Sequence, residues 1–187
     1  MRYSPKHKEE SRMRLIESGA ALAKQNGFAN TGMDKLTAAA GVTTGAFYTQ
    51  FRSKPEFLHA IIEHEMSKVL SSFEGRTKAE LLAALRNYLS KANVNHPELG
   101  CPVPSLGAEV ARADMATRQT FEKLILRYQA AIANEVHDDA TAWTVGCAAV
   151  GAVLIARAMA TPEHRNEVLR SVFDFVARTF DDGDTPR

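Results

Sequence analysis

Residues 31–58 read TGMDKLTAAAGVTTGAFYTQFRSKPEFL. A short helical pattern spans Met33 to Ala40, Gly41 and Val42 interrupt it, and a second pattern runs from Thr44 to about Phe51. Two helices joined by a tight glycine-containing turn make a helix-turn-helix. The second helix of such a motif enters the DNA major groove with its N-terminal residues at the base edges. Thr31 or Gly32 can cap the first of these helices, Asp34 suits its first turn, and Leu36, Ala39 and Ala40 form its inward face. Gly41 fits a left-handed turn position that glycine adopts at little cost, and Thr43 can cap the second helix. Gly45 and Ala46 leave the start of that helix nearly bare, so its backbone can approach DNA closely. Phe47 and Phe51, four residues apart, pack inward, while Tyr48, Thr49 and Gln50 point outward.

Outward from this stretch, helical periodicity covers almost the whole chain. On the N-terminal side, residues 1–8 read as a loose basic arm. A helix then runs from about Glu9 to Asn26, with Leu15, Gly19, Leu22 and Ile16, Ala20, Ala23 on one face and Lys8, Arg12 and Arg14 on the polar side. Gly27 stops it, and Phe28 anchors the following turn. On the C-terminal side, Ser53 to Glu56 forms a capping box with Pro55 in the first turn, opening a long helix to about Glu74 that Gly75 ends. Thr77 to Glu80 is a second box, before a helix carrying Leu81, Leu82, Leu85, Tyr88 and Leu89. Residues 93–104, NVNHPELGCPVP, form the main irregular segment, and helix returns from Ser105 to about Ala113. Asp114 caps a helix from Met115 to Val136, Asp138 or Asp139 opens the next, and Thr161 with Pro162 starts a last helix to about Phe180, followed by a frayed tail. No alternating strand pattern or hairpin signal is present.

With 187 residues, 45% hydrophobic and 24% charged, the chain has the composition of a folded globular protein. Its net charge of +1 is unevenly placed: residues 1–54 carry +5 and residues 55–187 carry −4. A basic end on an acidic body suits a protein that presents that end to a polyanion. Two cysteines do not make a disulfide framework, and the N-terminus lacks the apolar core of a secretory signal, so a cytoplasmic location is expected. Ala140 to Ala156 carries no formal charge, but it is rich in Ala, Gly and Thr and closely bounded by Asp139 and Arg157. It reads as a buried core helix rather than a membrane span, and no membrane partner is expected.

Met33-Asp34, Ala38 to Val42, Gly45, Tyr48, Phe51, Ser53-Lys54 and Leu58 together resemble the DNA-binding domain of TetR-type (TetR/AcrR) transcriptional repressors. The resemblance covers about residues 9–60. Beyond them only helix number and length agree. It implies an all-α protein of about nine helices: a three-helix helix-turn-helix DNA-binding domain over residues 1–53, and a ligand-binding and dimerisation domain over 54–187. It further implies a homodimer joined through the last two helices, bound to double-stranded DNA at a palindromic operator and released by a small-molecule effector. Carried over by position, Thr44, Gly45, Ala46, Tyr48, Thr49 and Gln50 face bases or nearby backbone, and Thr31, Thr43, Tyr48 and Lys54 meet phosphates. Many relatives have Lys where Thr44 stands, so one charged contact is missing here. Some relatives also carry Gly-Cys where this chain has Gly100-Cys101, and in some of those the cysteine senses electrophiles or oxidants. That makes thiol modification at Cys101 an alternative control.

The remaining candidates come from residue chemistry. Cys101 precedes a short helix, where a thiol pKa can be lowered. Cys147 lies in an apolar run and reads as inert core. His96, Cys101, Met115, Phe121, Tyr128 and Trp143 are the candidate lining of an effector pocket, with core packing the competing reading for each. His59, Glu63 and His64 share a helix, but the second His of a zinc-protease motif is absent. No phosphate loop, nucleophile elbow or Cys-x-x-Cys is present, so no enzyme activity, metal or cofactor is expected. A helical small-molecule binder without DNA is the competing class.

Overall fold

Side-chain caps set where most of the helices begin. The computed structural model describes residues 5–182 as ten α-helices and one 3-10 turn, with no strand among the described residues. They are α1 (Pro5–Asn26), α2 (Met33–Ala39), α3 (Thr44–Tyr48), α4 (Lys54–Ser71), α5 (Lys78–Tyr88) and α6 (Lys91–Asn95). After the 3-10 turn (Pro97–Leu99) come α7 (Val103–Ala111), α8 (Met115–Val136), α9 (Asp139–Ala158) and α10 (Pro162–Asp182). Thr43, Ser53, Thr77, Ser90, Asp114 and Asp138 each accept a backbone N–H three residues on, satisfying a donor the first turn leaves free. At Thr77 the box is reciprocal, since the Glu80 carboxylate takes the Thr77 N–H. At Ser53 it is displaced by one residue, because Glu56 takes the N–H of Arg52 instead.

The packing forms two apolar clusters. The first joins Leu15, Ala20 and Ala23 of α1, Leu36, Phe47 and Phe51 to Phe57 and Ile61 of α4, and continues into Leu106 and Val110 of α7 and Leu124 of α8. Phe47, Phe51 and Phe57 contact one another with ring centroids 4.7–5.4 Å apart. Gly19 of α1 faces this cluster, and a methyl group there would overlap the Phe57 ring. The second cluster joins Leu81 and Leu85 of α5 to Ile132 of α8, the small face of α9 and Leu169, Val176 and Phe180 of α10. Tyr128 touches both clusters. α4 is therefore the shared wall: it closes the core of the first three helices and packs along α8.

Several boundaries differ from the sequence reading. α1 starts at Pro5, so the second half of the expected arm is helical, while residues 1–4 and the tail 183–187 lie outside the described residues. α3 is only five residues, although Gln50 and Phe51 still donate to Phe47, continuing the turn without a full helix. α4 stops at Ser71 rather than near Glu74. Residues 93–104 are largely ordered: Ser90 caps α6, Pro97 opens the 3-10 turn, and α7 begins two residues before Ser105. The prolines start elements here rather than excluding them, and α6 brings the number of α-helices to ten. Thr37, not Ala39, joins Leu36 on the inner face of α2; Ala39 is exposed. Cys147 is also exposed, on the outer face of α9, so it is not a core thiol.

α9 is long and apolar enough, by length and composition, to cross a membrane. In the fold it packs on α8, α10, α7 and α6, with Ala142, Val145, Ala149, Ala152, Val153 and Ala156 buried. Gly146 lets the Tyr128 ring approach within 3.4 Å of where a Cβ would stand.

Candidate nucleic-acid interface and effector cavity

The α2–α3 turn is closed by Gly41 at φ +66°, a left-handed conformation that costs other residues a Cβ clash. Val42 N–H then reaches back to the Thr37 carbonyl at 3.0 Å. This sets α3 on a floor of Phe47, which is fully buried, and leaves Thr44, Gly45, Tyr48 and Thr49 in solvent. Tyr48 is 54% exposed, with its ring edge-on to Phe47 at 5.3 Å, so its direction is fixed although its hydroxyl is free to reach outward. Ala46 and Gln50 are partly covered.

The hydroxyls at this surface are not equivalent. Thr43 Oγ1 accepts from Ala46 N–H at 3.1 Å, so its own proton remains available to a phosphate. Thr49 gives its proton to the Ala46 carbonyl at 2.6 Å. Thr31 is buried, and its hydroxyl donates to the Gly27 carbonyl at 2.7 Å; it braces the turn and has no side-chain donor left for a phosphate. Lys54 Nζ donates once, to the Ala29 carbonyl at 3.1 Å, and sits 5.0 Å from the Phe28 ring centroid, which leaves two ammonium protons facing outward. Arg12, on the polar side of α1, lies over the Phe51 ring at 4.2 Å and donates to the Gln50 carbonyl at 3.1 Å. It ties α1 to the end of the recognition turn.

Contacts invisible in the local sequence join this surface to the body. Glu109 of α7 accepts from Phe28 N–H at 2.9 Å and Ala29 N–H at 2.7 Å, holding the α1–α2 turn through both carboxylate oxygens. Lys24 of α1, whose side chain is 2% exposed, pairs with Glu65 of α4, 5% exposed, and donates to the Gly100 carbonyl at 2.9 Å. Glu65 also accepts from Lys68 at 3.1 Å. No sequence signal singled out Lys24, Glu65 or Glu109. A Lys-Glu pair 41 residues apart has no period or motif to betray it.

Glu65 and Gly100 line a cavity of about 380 Å³ between α4, α5 and the α6–3-10 segment, together with Phe73, Tyr88, His96 and Cys101. Of the six expected pocket residues, His96 and Cys101 are in its wall. Phe121 and Tyr128 are packed into the cores, with Tyr128 against Phe73 at 4.7 Å, and Met115 and Trp143 are exposed elsewhere. Three further wall residues, Glu65, Phe73 and Tyr88, lie in or just after helices α4 and α5 and carry no pocket signal of their own in the sequence. His59 faces Thr117 of α8 rather than a neighbouring ligand set.

The expected lowering of the Cys101 pKa is reversed. Burial pushes this thiol up to about 11, outweighing the Val103 N–H directed at its sulfur at 3.5 Å and the nearby positive charge of Lys24 and Arg157. The helix α7 that follows begins two residues later and cannot offset full desolvation. Burial likewise raises the Tyr88 phenol well above its ordinary value, and the neighbouring Cys101 thiol adds to that shift.

The arrangement is thus a capped helix-turn-helix on an aromatic floor, with a cavity behind it. Residues 15–61 match the family described as bacterial regulatory proteins, tetR family. The chain is 31% identical over 126 residues to the HTH-type transcriptional repressor NemR of Escherichia coli strain K12, covering 63% of each chain. It is 23% identical over 128 residues to the HTH-type transcriptional repressor DhaR of Mycobacterium sp. strain GP1, covering 65% of each. These alignments thus span just under two thirds of the curated relatives' length. Its fold matches the reduced form of E. coli NemR with a TM-score of 0.75 at 23% identity, over 90% of this chain and 96% of that one. It also matches a TetR transcriptional regulator from Chloroflexus aurantiacus J-10-FL with a TM-score of 0.78 at 22% identity, over 94% and 96%. Residues 15–61 thus carry the segment that defines the tetR family of bacterial regulatory proteins, and the fold of the chain is that of the solved regulators it matches.

Proposed function

We propose that the protein is a DNA-binding transcriptional repressor, released from its operator when a small molecule enters the cavity behind α4. The observation that carries this is the exposed N-terminal half of α3: Thr44, Gly45, Tyr48 and Thr49 are presented to solvent on a backbone locked by Gly41, Thr43 and buried Phe47. Residues 1–53 act as the DNA-binding part and 54–187 as the body. Tyr48, Gln50 and the bare backbone at Gly45 and Ala46 meet base edges, while Thr43, Tyr48 and Lys54 meet phosphates. Two copies are joined through α9 and α10. Trp143, Leu154, Ile155 and Phe175 are exposed apolar side chains on those two helices, and a two-fold contact would cover them and set two α3 helices against a palindromic operator. The protein works where its DNA is, in the cytoplasm.

The effector's route to the DNA face is short. Glu65 forms part of the cavity wall and holds Lys24 of α1, so a ligand that moves α4 moves α1 with it. A gel-shift with duplex selected from a random library tests the reading. Wild-type binding should fall steeply with salt, and Tyr48→Ala should weaken it at least ten-fold while the melting temperature stays within about 2 °C, as for an exposed side chain. If no duplex is preferred over random DNA at any salt concentration, the repressor reading is wrong.

A further inference from the structure

The body of the protein is acidic, with a net charge of −4 over residues 55–187. One part of its surface runs against that balance. Two adjoining hollows, of about 520 Å³ and about 140 Å³, share Val94, Asn95 and Arg165 in their walls. Together their lining contains Lys24, Lys91, Arg157 and Arg165 and no carboxylate. Pro162, at the N-terminus of the 21-residue helix α10, lines the smaller hollow, which adds the positive end of a helix dipole. Asn95, Ser105 and Gln25 supply neutral hydrogen-bonding groups.

The guanidinium at the centre is under-compensated. Arg157 donates to Ser105 Oγ and to the Asn93 carbonyl, both at 2.9 Å, but its Nε is buried without an acceptor. Desolvation lowers its pKa, and among the described residues no carboxylate lies in salt-bridge contact with it. Arg165 spends one donor on the Met159 carbonyl at 2.8 Å. Glu163 and Glu167 line the next hollow, which shares Lys91 and Leu169 with the smaller one, and the acids on the Arg157 side are engaged. Glu65 holds Lys24, and Glu98 takes Gln25 at 3.1 Å and His96 at 3.2 Å while acting on Arg157 only through space. A partly buried guanidinium without a carboxylate in direct contact costs free energy that an oxyanion reaching its terminal nitrogens would recover through charge-assisted N–H···O bonds.

We propose that this cleft is a binding site for a small oxyanion, a phosphate- or carboxylate-bearing molecule, held by Arg157 and Arg165 with Lys91 at its rim. The site is separate from the cavity behind Glu65. The Gly100 segment lies between them, because a side chain at Gly100 would strike Asn93 and approach Arg157 within 3.3 Å. It spans the joint between the basic end and the body, since Lys24, Gln25 and Gly27 come from α1 and its stop.

The test is the melting temperature of the full chain in sodium phosphate or sodium succinate, against sodium chloride of equal ionic strength at pH 7. At about ten times Kd, binding should raise the midpoint by roughly 3–6 °C. A rise in phosphate alone assigns the phosphate class, and a rise in succinate alone assigns the carboxylate class. Arg165→Gln, which keeps the internal bonds of Arg157, should weaken binding at least ten-fold, and Lys91→Gln should weaken it less. The proposal is overturned if neither anion exceeds chloride, or if both variants keep the full wild-type shift. A shift abolished by Lys54→Gln and kept by Arg165→Gln would put the anion on the DNA face and overturn it equally.

Discussion

The DNA-facing turns and the cavity floor are built over different ranges. From Gly27 to Leu58 most of the hydrogen bonds that shape the backbone span three to five residues: Thr31 to Gly27, Val42 to Thr37, Ala46 to Thr43, Glu56 to Ser53. Around the cavity the ties span far more: Lys24 to Glu65 over 41 residues, Arg157 to Ser105 over 52, Arg157 to Asn93 over 64 and Lys24 to Gly100 over 76. A short-range network is specified largely by its own segment, with a few long ties such as Glu109 to Phe28 and Ala29 holding it to the body. A long-range network exists only when the whole body is assembled, and it is therefore the part a ligand can perturb. The difference teaches where rigidity and response are located: the reading surface is preformed, and the link to it is global.

The largest expected effect breaks the long-range side. Lys24→Met leaves Glu65 buried with the exposed Lys68 at 3.1 Å and His64 at 4.0 Å as its remaining partners and should cost about 3–5 kcal/mol in urea unfolding. Lys24→Met combined with Glu65→Leu should recover most of that, because a packed apolar pair replaces two desolvated charges. A double variant as unstable as the single one would show that the loss was packing rather than charge. Next, Gly19→Ala forces the Phe57 ring out of the aromatic cluster and should cost roughly 1–3 kcal/mol by overpacking, although alanine is otherwise the better helix residue. On the short-range side, Thr43→Ala removes one cap and should cost about 1 kcal/mol, with DNA binding reduced further as the start of α3 frays. Hydrogen exchange at Ala46 would report that fraying directly.

The smallest effect concerns Cys101. On a Cys147→Ser background, iodoacetamide should modify Cys101 about 100-fold more slowly at pH 8 than an ordinary thiol, since thiolate carries the reaction. The rate should climb until the pH nears 11. The linked stability has a definite sign. The folded pKa is raised, so the protonated thiol stabilises the fold below the ordinary value of 9.0, and this is lost as the pH rises from there towards about 11. Rapid alkylation at pH 7 would show that the thiol is uncovered in solution and would restore thiol modification as a control mechanism.

Legibility in the sequence followed the same division. Gly41, Thr43, Ser53 and Thr77 announce their roles because a cap or a left-handed turn needs a particular residue at a particular offset. Tyr48 was legible as outward-facing because its neighbours Phe47 and Phe51 keep the helical period. Thr31 misled, since a threonine at a helix start can equally turn its hydroxyl back to the preceding carbonyl, as here to Gly27. The pocket was misread for a related reason. Aromatic residues such as Phe121 and Trp143 attract attention, yet one is packed in the core and the other faces out, and the cavity wall is made by Phe73, Tyr88 and a charged pair. Cys101 shows the limit of position alone: closeness to a helix start argues for a low pKa, and only burial, a property of the assembled body, decides the opposite.

What the sequence by itself determined is the all-helical class, the order of most of its helices and the helix-turn-helix with its exposed reading face, because these depend on periodicity, caps and glycine within a few residues. What only the tertiary structure decided is which charges are buried, which thiol is covered, and where hollows remain. Those follow from which distant surfaces meet, and the free energy of a buried Lys24, Cys101 or Arg157 is set by the neighbours that exclude water from it.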